Sequence, residues 1–293
     1  MQLHYEQSKR HSPKRVASFI LALFALLLAI AIMAVWMLIG YRQSAPPTTE
    51  PSSDITAQYE DPLTSVDCSL VILNFTDTPR FVLVQTNPAE AAVHVVHIPV
   101  HLTDDAGNPL SAILDKHGPL RVTQAVSAAL ELTIEHYIAW SAEGVQSFLN
   151  ELDNGVTYTL PEDIHYTDED GSSIRLSAGA QKLTGTQAAA VLQYSAWSNA
   201  AQIPNTATQM IAAVLNQYLV PQQSLNGYFA ALSDTAQTDL RIDDYNAFRR
   251  VLTHLSDNNT GSLCRITALI GTEDNGRFVP DIHAMRRQTD LYS

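Results

Sequence analysis

Basic residues are scarce in this 293-residue chain, where 17 Lys and Arg face 30 Asp and Glu. The imbalance deepens along the chain: after Gln43 there are 12 basic against 29 acidic residues, so 12 − 29 = −17. A field of that sign repels polyanions, and it excludes nucleic acid as a partner, because binding it needs a clustered basic surface that neutralises phosphates. An anionic ligand would need a local basic pocket or a metal ion to overcome the global repulsion. The sequence also lacks a Gly-rich phosphate loop, a nucleophilic Ser-His-Asp pattern and internal repeats. Cysteine is nearly absent. Cys68 and Cys264 leave room for one disulfide, which would persist in an exported domain, or for two buried thiols on strands.

Charge is missing altogether from Val16–Tyr41 (VASFILALFALLLAIAIMAVWMLIGY), and roughly 20 apolar residues suffice to cross the hydrocarbon of a bilayer. Lys9, Arg10, Lys14 and Arg15 precede this run while only Arg42 follows it, and the side richer in Lys and Arg stays cytoplasmic. The expected organisation is therefore a cytoplasmic tail at 1–15, a transmembrane helix at 16–41, an extracytoplasmic linker at 42–67 and a domain at 68–293. A cleaved signal peptide fits less well. Its apolar region normally spans about 7 to 15 residues and ends in small residues, where this chain has Trp36, Met37, Leu38 and Ile39. The linker is rich in Pro, Ser, Thr and acids and holds too few apolar residues to pack a core.

Beyond the linker, Ser69–Phe75, Phe81–Thr86 and Ala92–Pro99 are short β-branched runs, the last two joined by the turn signal Asn87-Pro88. Residues 122–134 carry apolar side chains near helical spacing, and His136–Trp140 reads as the strand that follows. Ser141 can cap a helix running to Leu152, and Val156–Leu160 returns to extended chain. Ile164–Leu176 reads as a hairpin about Asp170-Gly171; the same residues match only part of a calcium loop and lack its terminal Glu. Helices are expected at 186–197, at 207–219 behind a capping box formed by Thr206 and Gln209, and at 244–255, with strands at 262–270 and 277–280. Strands interleaved with helices predict a layered α/β domain.

The segment Leu160–Tyr194 (LPEDIHYTDEDGSSIRLSAGAQKLTGTQAAAVLQY) is similar to the LytR-CpsA-Psr family, whose cell envelope-related transcriptional attenuator domain has a proline-containing strand, a Tyr-x-Asp hairpin and a G-x-Q-x-L-x-G-x-Q-A motif entering a helix. Gln85-Thr-Asn-Pro88, His97-Ile-Pro99, Thr238-Asp-Leu240 and Leu269-Ile-Gly271 resemble further elements of that family. The resemblance implies a three-layer α-β-α domain with a central mixed sheet. It also implies binding of polyprenyl-pyrophosphate-linked glycans and their transfer to peptidoglycan. In that chemistry arginines grip the pyrophosphate, aspartates hold a divalent cation such as Mg2+, and an apolar pocket takes the lipid.

This sequence departs from the family where that chemistry should sit. Val100-His101 stand where the family has Arg-Asp, Gln193 and Ser195 stand where it has two arginines, and residues 200–208 carry no basic side chain. Each lost charge-assisted hydrogen bond removes about 1.5 to 3 kcal/mol. By resemblance, Asp77 is the metal candidate, and Arg80, His101, Gln193, Tyr194 and Gln209 are the substrate-binding candidates. The expected protein is a single-pass envelope module with a degenerate site that binds such glycans or assists an active paralogue. Two alternatives stand beside it: a phosphotransferase that recruits Arg80, Arg121 or Arg175, and a structural domain without a ligand. His94, His97 and His101 are poorly spaced for shared coordination on a strand.

Overall fold

Strand β1 (Asp67–Asn74) is apolar on both faces, and this places it inside a sheet with helices on each side. It pairs antiparallel with β2 (Arg80–Asn87), which pairs antiparallel with β3 (Ala92–Ile98). On its other edge β1 pairs in parallel with β4 (His136–Ser141), in a register that sets Asn74 opposite Ser141. With β9 (Gln237–Thr238) and β10 (Cys264–Thr267) at the edges, the six strands run in the order β10-β3-β2-β1-β4-β9. This computed structural model describes residues 66–152, 155–167, 171–219, 225–258 and 262–292. The expected cytoplasmic tail, membrane span and linker lie outside them, apart from the linker's last two residues, as do Asp168–Asp170 of the expected hairpin turn. No described helix is long and apolar enough to cross a membrane.

Alternation along β1 divides the core. Val71 and Leu73 join one cluster with Val145 and Leu149 of α2 (Ala142–Asn150), Ala188 and Val191 of α3 (Gly185–Gln193), and Met210 of α4 (Gln202–Val214). Helices α5 (Leu225–Thr235) and α6 (Ile242–Asn258) complete that side through Leu232, Val251 and Leu252. Leu70 and Ile72 point the other way, onto α1 (Leu110–Leu130) and Met285 of α7 (Ile282–Gln288). The result is a mixed α/β fold with helices on both faces of a mixed sheet.

Most expected elements form, and the differences have local causes. Helix α1 starts twelve residues before the expected 122 because its two pieces join across a kink at Gly118-Pro119, where Gly118 is left-handed. Helix α4 starts at Gln202, so Thr206 lies within it and its hydroxyl donates to the Gln202 carbonyl at 2.6 Å. The expected capping box at Thr206 is therefore absent. A true one closes α3, where Thr184 Oγ1 accepts from the Gln187 amide and the Gln187 side chain accepts from the Thr184 amide. The G-x-Q-x-L stretch is strand β8 (Gly179–Leu183), paired with β5 (Val156–Leu160). The hairpin of β6 (Ile164–Thr167) and β7 (Ser173–Leu176) forms as expected. The expected strand 262–270 shortens to β10; a separate hairpin of β11 (Gly271–Asp274) and β12 (Arg277–Pro280) follows. Both cysteines are free. Strands β2 and β3 lie between Cys68 and Cys264, about 14 Å at ordinary strand spacing, well beyond disulfide reach.

Gly185 marks where α2 and α3 touch most closely, since a Cβ there would stand 2.3 Å from the Asn150 amide nitrogen. Gly185→Ala should cost about 1 to 3 kcal/mol, whereas Gly227→Ala, on a helix with open space around it, should gain about 0.4 to 1 kcal/mol. Urea unfolding of the two variants checks both signs.

Candidate functional site

The parallel neighbours β1 and β4 end side by side, and open α/β sheets bind ligands in the crevice outside such ends. From Asn74 the chain turns through Phe75–Pro79 into β2, while β4 runs directly into α2, whose first turn is capped by Ser141 Oγ accepting from the Gly144 amide at 3.1 Å. The β6–β7 hairpin and α3 close the crevice. The resulting cleft has a volume of about 330 Å3. Asp77, Glu143, Gln146, Tyr166 and Gln193 line it with the buried residue Phe75, and Thr76, Thr167 and Thr186 complete its polar wall. Among the described residues no Lys or Arg lines it.

A second, almost wholly apolar cavity of about 140 Å3 lies beneath the helices, along Ser69, Val71 and Leu73 of β1 and against Phe148, Met210 and Phe248. The two cavities adjoin in sequence on three elements. Leu73 lines the apolar one and Phe75 the polar one; Val145 and Gln146 divide in the same way on α2, and Leu192 and Gln193 on α3. Together they present an apolar slot beside a polar mouth.

Arg80 stays out of the mouth. It is 4% exposed, its guanidinium carbon lies 5.0 Å from the Phe75 ring centroid, and Nη1 donates to the Leu192 carbonyl in the last turn of α3. A cation there complements the negative end of the helix and satisfies a carbonyl that has no partner within it. Burial lowers the Arg80 pKa to about 10, opposed by nearby Asp77, so the group remains charged. Its Nε is buried without a partner.

The remaining candidates separate. Asp77 is exposed on the cleft rim, and Gln193 lies within it, where its Oε1 accepts from the Tyr166 hydroxyl at 3.3 Å. Tyr194 was expected to share that cleft, but α3 ends at Gln193 and extended backbone turns Tyr194 edge-on to Trp197, 5.0 Å between centroids. Gln209 accepts from the Tyr158 hydroxyl at 2.9 Å, against β5. His101 leaves the sheet with its Nε2 on Glu273 and its ring edge-on to Phe278 of the β11–β12 hairpin. Glu143, Gln146 and Tyr166 were not among the expected site residues; the strand-to-helix junction at Ser141 is the signal for the first two, and the Tyr-x-Asp hairpin is the signal for Tyr166. Among the described residues no three His, Cys, Asp or Glu side chains gather as a cation cage. Asp77 and Glu143 are the carboxylates that a divalent ion in the cleft would meet.

The LytR_cpsA_psr family model matches residues 76–267. The chain belongs to the LytR-CpsA-Psr family. Among solved structures, this member is similar to B. subtilis TagV at 15% identity and a TM-score of 0.62, over 76% of this chain and 94% of that one. A transcriptional regulator of Enterococcus faecalis matches at 15% identity and a TM-score of 0.63, over 77% and 85%. TagT bound to LIIa-WTA matches at 14% identity and 0.59, over 78% and 89%. At these identities the likeness is one of fold. No curated protein matches the sequence.

Beside Arg80, His97 is held neutral. Burial lowers its pKa to about 4, and the charges of His101 and Arg80 act in the same direction. The unfolded chain takes up this proton near pH 6.5 (roughly the free value) while the native state refuses it. Stability from this residue is therefore full above about pH 6.5 and lost as the pH falls toward 4, by on the order of 3 kcal/mol. His97→Gln should flatten that part of the urea-midpoint profile; an unchanged slope would contradict the assignment.

Proposed function

We propose that this LytR-CpsA-Psr member is an envelope-anchored, catalytically silent module that binds lipid-linked wall glycopolymer intermediates by their apolar chain and their sugar. The observation that carries the reading is a polar cleft whose described lining holds no Lys or Arg, set beside an apolar cavity. The similar protein TagT, bound to LIIa-WTA and to LI-WTA in its solved structures, supports the glycopolymer class. The uncharged run at 16–41 and its basic flank support a cytoplasmic N-terminus, a single membrane span and a domain outside the cell.

Transfer of a polymer from pyrophosphate would need cations converging on the leaving group. Arg80 serves the end of α3. Arg121 is exposed on α1, across the sheet, beside Gln124, and Arg175 is exposed on β7 beside His165. None of the three lines the cleft. Magnesium enters this reading as an ion held by the ligand's own phosphate oxygens outside the cleft, because Mg2+ offered only one or two carboxylates leans on its substrate. Binding without turnover suits a partner of an active paralogue, which would perform the transfer.

The full-length chain, in detergent with a polyprenyl-pyrophosphate glycan and magnesium, should bind saturably and yield no polyprenyl monophosphate. Ile211→Trp, which fills the apolar cavity from the half-buried side of α4, should weaken binding at least tenfold while leaving the melting temperature within a few degrees. Formation of polyprenyl monophosphate at an enzymatic rate would overturn the silent reading, and absence of binding would leave a structural domain.

A further inference from the structure

The cleft at the β1 and β4 ends says more about its ligand than that it has a lipid beside it. Among the described residues its two charged groups, Asp77 and Glu143, are carboxylates, which accept hydrogen bonds and donate none when ionised. Gln146 and Gln193 each add a carbonyl and an amide, and Tyr166 adds a phenol. Part of this set is already oriented: the Gln193 amide donates to the Ala189 carbonyl at 3.3 Å and its carbonyl accepts from Tyr166. Glu143 accepts from the Ser141 hydroxyl at 3.2 Å. Phe75 and Tyr166 supply ring surface beside these polar groups.

Ionised pyrophosphate presents oxygens that only accept, so the two carboxylates have nothing to receive from it and repel its charge. The surrounding excess of acids after Gln43 acts in the same direction. A sugar ring presents the opposite pattern, with hydroxyls that donate to carboxylates, further oxygens that accept from amides, and C–H faces that pack on aromatic rings. The volume of about 330 Å3 falls at the lower end of small-molecule pockets, roughly 300 to 1,000 Å3, and suits one or two rings rather than a polymer.

We infer that the cleft is a subsite for an uncharged saccharide, held by Asp77, Glu143, Gln146 and Gln193, and that it selects the sugar of an amphiphile while rejecting a phosphate group in the same place. The inference rests on the ligand-binding reading above and names its head group. Selectivity by unpaired and like-charged groups works against the wrong ligand as strongly as attraction works for the right one.

Isothermal titration of the full-length chain tests this with three probes: a neutral trisaccharide of N-acetylglucosamine, inorganic pyrophosphate with and without magnesium, and a long-chain polyprenol without phosphate. The trisaccharide should bind saturably, at least tenfold more weakly in Gln193→Leu and in Glu143→Ala, with pyrophosphate failing to compete under either condition. Circular dichroism melting of both variants separates lost binding from lost folding, and exposed Glu143 is the variant least able to disturb the core. Failure of the trisaccharide to bind, indifference to both substitutions in folded protein, or displacement by pyrophosphate would each overturn the inference. The polyprenol keeps the two readings apart. Tail binding without saccharide binding sinks the head-group assignment alone, and saccharide binding without tail binding sinks the lipid part of the proposed function alone.

Discussion

Everything in this domain is organised around the parallel pairing of β1 with β4, two strands that share a register from Ser69 opposite His136 to Asn74 opposite Ser141. Because β1 is apolar on both faces, helices must cover it twice, and the connection between the two strands must cross the sheet, which α1 does. The pairing then ends both strands at the same level, with one chain leaving as a hairpin and the other entering α2. A crevice at that point is a consequence of topology before it is a site.

What the crevice can hold depends on a displaced charge. Arg80 sits at the start of β2 with its partner the Leu192 carbonyl, a position that stabilises α3 and withdraws the guanidinium from the mouth. The lining left behind carries carboxylates, amides and hydroxyls. The fold itself depends on apolar patterning rather than on arginines, so the family's architecture is retained with this lining.

Much of the architecture was legible before any coordinates. The β-branched runs became β1, β2 and β3, the junction at Ser141 became a capped helix, and the hairpin around residue 170 formed on either side of its turn. These are local signals, set by side-chain spacing and capping chemistry within a few residues. The helix start placed at Thr206 failed because Pro204 sits comfortably in a first turn, so the helix could begin earlier. The site was less legible. Gln193 and Tyr194 are neighbours in the chain, yet the end of α3 falls between them and only one reaches the cleft.

The sequence by itself determined the shortage of basic residues, the uncharged run at 16–41, the family and the order of strands and helices, because each is a property of composition or of short-range pattern. Only the tertiary structure decided that Arg80 would turn to a helix end 112 residues away, that His101 would meet Glu273, and that Glu143, Gln146 and Tyr166 would join Asp77 at one mouth. Those outcomes follow from which elements the sheet brings together, and contacts between distant segments leave no spacing in the chain from which to read them.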